Sequence, residues 1–152
     1  MGAEMKMNKK GVTLLELVIV MVIIAIGATL MVPNLGPWIQ HYRLRSATRD
    51  IVSIMRVAQM RSVSQNTSFR VDFNSVARTY TLQRSTGGIW VTDGAPASLP
   101  DGVKIISNNF SGMKAVFNPD STASSGTLGL NNKRNDQKAI TVSPSTGRVT
   151  ID

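Results

Sequence analysis

Apolar and polar positions divide this chain into three stretches with different periods. From Leu17 to Val32 only Thr29 is polar, and Gly27 is the single glycine. Counted from Val12, the run reaches 21 residues before Pro33. That matches the roughly 20 residues a helix needs to cross about 30 Å of hydrocarbon. From Leu44 the pattern changes: Leu44, Ala47, Ile51, Met55 and Ala58 recur at three- and four-residue steps, the stripe of an amphipathic helix. After Asn66 it changes again, to short alternating runs separated by turn residues.

These periods predict one long helix from about Val12 to about Gln65. Pro33, Gly36 and Pro37 interrupt it, because proline lacks a donor and crowds the preceding turn. Strands are expected at 69–73, 79–83, 89–91, 103–106, 113–117, 127–130, 139–142 and 148–151. The segment Ser143–Gly147 makes a terminal hairpin turn with Pro early and Gly late. Residues 131–137 are polar and read as a mobile loop. The fold class is therefore α+β: a long N-terminal helix, membrane-spanning in its first half and amphipathic in its second, packed on an antiparallel β-sheet head. Trp38 and Tyr42 lie four residues apart on one face, where the membrane edge should fall, and suit interfacial anchoring.

Charge sharpens this picture. Lys6, Lys9 and Lys10 precede the apolar run, opposed only by Glu4. The excess of positive charge places that end in the cytoplasm and everything after Pro33 outside it. Glu16 stands inside the apolar run. A charge costs roughly 2.5–3.5 kcal/mol at the centre of a spanning helix and less near its ends, so Glu16 needs a partner. A conventional secretory signal, with Ala25-Ile26-Gly27 as its cleavage site, is the competing reading. The run, however, holds Glu16 within it and continues past that site.

Net charge is +8. Arg45, Arg49 and Arg56 line a second face of the amphipathic helix, about 120° from the apolar stripe. Such a stripe either meets acidic neighbours or is simply solvated. Arg43, Asp50 and Arg61 lie on the other flank. A basic exported domain suits an anionic partner, such as DNA, lipid or an acidic subunit. There is no cysteine, so the domain is held without disulfides. His41 is the only histidine and reads as a surface residue. No nucleophile with a base, no carboxylate cluster, no phosphate-cradling glycine motif and no metal-ligand spacing appears. An enzyme, a cofactor and a metal are not expected. Asp120 alone is too little for calcium.

The run Lys9-Lys10-Gly11-Val12-Thr13-Leu14-Leu15-Glu16-Leu17 closely resembles the class III signal of type IV pilins and type II secretion pseudopilins. The resemblance implies that a prepilin peptidase cuts between Gly11 and Val12 and that Val12 is then methylated. Glu16 becomes the fifth residue of the mature chain. Cutting creates a cationic amine on Val12 at membrane depth, where a neighbouring subunit's Glu16 would pair with it. Each charge then has a partner in a medium where neither is tolerable alone. The implied organisation is a cleaved basic leader over 1–11, a transmembrane and assembly helix with a Pro kink over 12–37, and an exported head over 38–152. Removing the leader would leave a net charge of +6. The implied partners are other pilin or pseudopilin subunits, the peptidase, the inner-membrane assembly platform and the membrane itself. The implied location is the inner membrane, with the N-terminus cytoplasmic and the head periplasmic, and then a pilus or pseudopilus.

The later segments are similar to the GspH/FimT family of minor pseudopilins and minor pilins. They are Met55–Ser62 running into Asn66 and the 69–73 strand; Leu99-Pro100-Asp101-Gly102-Val103; Val116-Phe117-Asn118-Pro119-Asp120 before a Gly/Ser loop; and Ile140–Ser143 followed by Gly147-Arg148-Val149. The missing disulfide also leans toward a minor subunit. FimT-like members bind DNA through a Gly-Arg-x-Arg motif. This chain keeps Gly147 and Arg148 but has Thr150 at the second arginine. On that alternative, a DNA-uptake subunit, the contacts would be Arg148, Lys138, Lys133 and Arg134. The plainer reading gives Gly147 a positive φ in its turn and leaves Arg148 merely exposed.

Overall fold

The computed structural model describes residues 11–31 and 35–152. The chain divides into two compact units, one ending at Gly36 and one beginning at Pro37. The first holds α1 (Leu14–Met31). Its apolar side chains are exposed around the helix, from Leu14 at 83% to Val18 at 48%. A helix apolar on every side has no face to offer water. At 1.5 Å per residue its 18 residues span about 27 Å. Among the described residues no helix is long and apolar enough to cross a membrane. The apolar run of the sequence continues to Val32, beyond the described part of the segment. The kink expected at Pro33 lies outside the described residues.

The second unit takes in α2 (Leu35–Ser64) from Pro37 onward. Pro37 lies in its first turn, where its missing N–H would have had no partner in the helix. Nine strands follow: β1 (Phe69–Asn74), β2 (Thr79–Thr86), β3 (Ile89–Thr92), β4 (Ala97–Ser98), β5 (Lys104–Asn108), β6 (Lys114–Phe117), β7 (Gly126–Asn131), β8 (Gln137–Val142) and β9 (Val149–Ile151). They form two antiparallel sheets rather than the single sheet expected. One has the order β3-β2-β1-β6, with β4 also on β2; the other has the order β5-β7-β8-β9. In the first, Val71 faces Leu82 on one side and Ala115 on the other.

The stripe read from the sequence is the buried face of α2. Leu44, Ala47, Ile51, Met55 and Ala58 are all at most 2% exposed. They share one core with Phe69, Val71 and Phe117 of the first sheet and Leu128, Leu130, Ile140 and Val142 of the second. Alternation does the sorting in β1, where positions 69, 71 and 73 are buried and 70, 72 and 74 are not. Two buried hydroxyls are satisfied locally: Thr48 donates to the Leu44 carbonyl at 2.8 Å, and Ser62 to that of Gln59 at 2.7 Å.

Of the mobile loop expected at residues 131–137, Asn131 and Gln137 pair as the ends of β7 and β8, and residues 132–136 between them form a stapled turn. Asn132 is 3% exposed. Its side-chain oxygen accepts from the backbone of Arg134 and Asp136 at 2.9 and 3.0 Å, and its amide donates to the Asp136 carboxylate at 2.8 Å. Polarity marked this stretch as a loop; an asparagine bonding its own turn makes it ordered.

Candidate functional site

The N-terminal unit starts with a cap. Thr13 Oγ1 accepts from the backbone N–H of Glu16 at 3.2 Å, and the Thr13 carbonyl accepts from Leu17 at 3.2 Å. Thr13 followed three residues later by Glu16 is the spacing of a capping box. Thr13 was readable from the sequence as a helix start. Glu16 sits in the first turn of α1, where the helix dipole favours a negative charge. No Lys, Arg or His occurs between Gly11 and Met31, so its own helix offers the carboxylate no counter-charge. Gly11 and Val12 precede the helix.

In the head, Trp38 and Tyr42 stack with ring centroids 5.7 Å apart and remain 66% and 60% exposed. Nearby in sequence, Arg43 places Nη1 3.9 Å from the Asp101 carboxylate and also donates to the Asp101 carbonyl at 3.1 Å. Arg78 and Lys133 reach the same carboxylate, each at 3.6 Å. Lys133 foremost, with Arg78 and Arg43, holds the Asp101 carboxyl below the ordinary carboxylate range. Asp101 thus ties α2 to two loops, a role its Pro-Asp-Gly turn context did not reveal.

A groove runs along the flank of α2 beside β9. Arg45 and Arg49 meet Lys138 and Ile151 at one end. Arg56 and Met60 meet Arg148, Val149 and Ile151 at the other, where the groove encloses about 630 Å³. The three arginines that share a helix face thus line one side of it. Among the described residues, Arg45, Arg49, Arg56 and Arg148 have no carboxylate within ion-pair range. One end is fixed by Gln59, whose amide donates to the Thr146 carbonyl at 2.8 Å. Gly147 has φ +61, and a side-chain carbon there would meet the Gln59 amide at 2.7 Å. The positive φ read from the turn is present.

The four cations suggested for DNA do not form one site. Lys133 is bound to Asp101, and Arg134 lies in the same turn. Lys138 donates to the Asp152 carbonyl at 3.4 Å. Arg148 stands opposite Ser143, just past the other end of β8, about 17 Å from Lys138 at about 3.3 Å per residue. Asp120 accepts from the backbone and hydroxyl of Thr122 at 3.0 and 2.6 Å. Those bonds lower its pKa and close a local turn. Among the described residues no cluster of acidic, histidine or cysteine side chains could hold a metal. His41 is exposed, 3.9 Å from Asp136.

An apolar helix with a capped, carboxylate-bearing first turn, joined to a small head in which an amphipathic helix packs on antiparallel sheets, is the plan of the pilin and pseudopilin superfamily. Residues 6–32 match the prokaryotic N-terminal methylation motif. Residues 47–146 match the family described as type II transport protein GspH, and since they make up well over half of the chain, it belongs to that family. It is a minor pseudopilin or minor pilin of type II secretion or type IV pili, and the methylation motif implies processing by prepilin peptidase. The family is one of structural subunits.

The fold is also that of solved relatives. The minor pseudopilin EpsH from the type 2 secretion system of Vibrio cholerae superimposes with a TM-score of 0.63 at 12% identity, over 72% of this chain and 96% of that one. The type IV minor pilin FimU of Pseudomonas aeruginosa gives 0.61 at 13% identity, over 76% and 92%. No curated protein matches this chain in sequence. Neither the families nor these neighbours support the DNA-binding alternative.

Proposed function

We propose that the subunit is made as a membrane precursor and cut between Gly11 and Val12. Val12 is methylated, and Glu16 pairs with the Val12 amine of a neighbouring subunit as the two enter the filament. Residues 1–11 are the leader, 12–37 the membrane and assembly helix with its proline kink, and 38–152 the exported head. The basic leader keeps the N-terminus cytoplasmic, and the head faces the periplasm. Trp38 and Tyr42 hold the head against the membrane surface before assembly. The peptidase and the inner-membrane platform are the partners of this stage.

The observation that carries this reading is at the head of α1. A threonine cap fixes the first turn, and the one carboxylate of the segment has no cation on its own helix. Charge in an apolar medium demands a partner, and a freshly cut amine on another copy supplies one of opposite sign.

Intact mass of the membrane-extracted protein, with and without prepilin peptidase, tests the proposal. Loss of residues 1–11 together with gain of one methyl group on Val12 is the expected result. A chain that stays uncut, or is cut after Gly27, overturns it.

A further inference from the structure

β9 is an edge strand with β8 on one side only. Its register shows which backbone groups are left over. Ala139 and Asp152 exchange both N–H···O bonds, at 3.3 and 2.9 Å, and Ser143 donates to the Arg148 carbonyl at 2.9 Å. Hydrogen-bonded and non-hydrogen-bonded pairs alternate in an antiparallel ladder. Ile151, opposite Ile140, and Val149, opposite Val142, are therefore the non-bonded pairs. Their N–H and C=O groups point away from β8, toward the groove beside α2. An unpaired strand edge is a template for another strand unless proline, a charge on the edge or a covering element blocks it.

What surrounds this edge selects its partner. Arg56 and Arg148 line the same groove and carry no ion pair among the described residues. Arg49 extends the positive charge along α2. Between the arginines, Met60 and Ile151 remain 68% and 43% exposed. An incoming strand would find the outward N–H and C=O of the exposed Ile151, with those of Val149, only 5% exposed, beside them, an apolar floor and a cationic rim. We propose that β9 is the docking edge for an extended, acidic segment of another protein subunit, which adds to the second sheet as a further strand. The acidic side chains of that segment would meet Arg56 and Arg148, and its apolar ones would cover Met60 and Ile151. The inference stands apart from cleavage at Gly11 and holds whether or not the N-terminus is processed.

The test uses the full chain in detergent micelles and a short peptide of alternating Glu and Val. Controls are the same peptide N-methylated at alternate residues, a Lys–Val peptide, and mixed-sequence duplex DNA. Binding is followed by fluorescence anisotropy, and hydrogen exchange is followed at Val149–Ile151. The Glu–Val peptide is expected to bind and to slow exchange there, while the N-methylated and Lys–Val peptides do not. Ile151→Pro removes an outward N–H without removing a bond to β8. It should weaken binding about tenfold, the scale of one or two lost hydrogen bonds. Arg56→Glu with Arg148→Glu should weaken it at least as much.

Absence of binding overturns the proposal, as does binding without protection at Val149–Ile151. DNA or the N-methylated peptide binding as tightly as the Glu–Val peptide also overturns it, because the groove would then attract any polyanion. The exchange measurement and the N-methylated peptide use the unaltered protein, so the outcome does not depend on how Ile151→Pro folds.

Discussion

α1 and α2 follow each other in the chain and are built on opposite plans. In α2 the apolar residues form one stripe, and that stripe is at most 2% exposed at Leu44, Ala47, Ile51, Met55 and Ala58. Much of the rest of its surface is polar or charged, and two of its five arginines are engaged. Arg61 pairs with Asp93 at 2.7 Å, and Arg43 with Asp101. In α1 apolar residues occupy all sides, and Leu14 and Ile23 are 83% and 63% exposed. The head unit spends its apolar surface on its own core. α1 leaves that surface exposed. Sequence changes in the two helices should therefore fail in different assays.

The largest separation is expected from Glu16→Val. It should abolish incorporation into filaments, scored by shearing and immunoblotting, while the unfolding free energy of the head moves by less than about 0.5 kcal/mol. If filaments form at the unaltered level, the pairing assigned to Glu16 is wrong. Ile51→Ala should do the reverse. It opens a cavity beneath a residue that is 0% exposed and should cost roughly 2–5 kcal/mol in denaturant unfolding. Membrane insertion of the precursor should be unaffected. A loss below about 1 kcal/mol would mean that the stripe is not the core contact described above.

Gly147→Ala acts on the groove rather than the core. The left-handed conformation at φ +61 costs an L-residue about 1–2 kcal/mol, and the new carbon would displace the Gln59 amide from Thr146. A melting temperature equal to that of the unaltered protein would remove both arguments.

The smallest effect concerns Asp101 and pH. Its pKa is lower in the folded state, chiefly through Lys133. A depressed carboxylate stabilises the fold above its unfolded value of about 3.9, and that contribution is lost as pH falls through the folded value. The melting temperature should drop as pH is lowered below about 4, and less steeply in Asp101→Asn. Identical slopes would show that the three cations around Asp101 do not contribute to stability.

Much of this molecule is local and was open to reading from the residues alone. A 21-residue apolar run, a stripe at helical spacing and period-two runs bounded by Gly, Pro and Asn depend only on neighbours along the chain. They determine that residues 14–31 and 35–64 are helical, and eight of the nine strands. The superfamily signature is equally local, because a peptidase reads a short linear segment. The order of the later segments identified the GspH/FimT family.

What the linear pattern could not decide is how separate segments come together. The division of the strands into two sheets depends on which edges meet, and β4 is only two residues long, too short to carry a period. The turn at residues 131–137 looked mobile because polarity is visible in sequence and the three bonds of Asn132 are not. Asp101 gathers cations from positions 43, 78 and 133, whose spacing has no pattern. The same holds for the groove. Arg45, Arg49 and Arg56 were legible as one helix face, but only packing put that face beside the open edge of β9. Propensity and periodicity act over a few residues, whereas an edge, a groove or a charge cluster is made by chain segments that meet only once the core has closed.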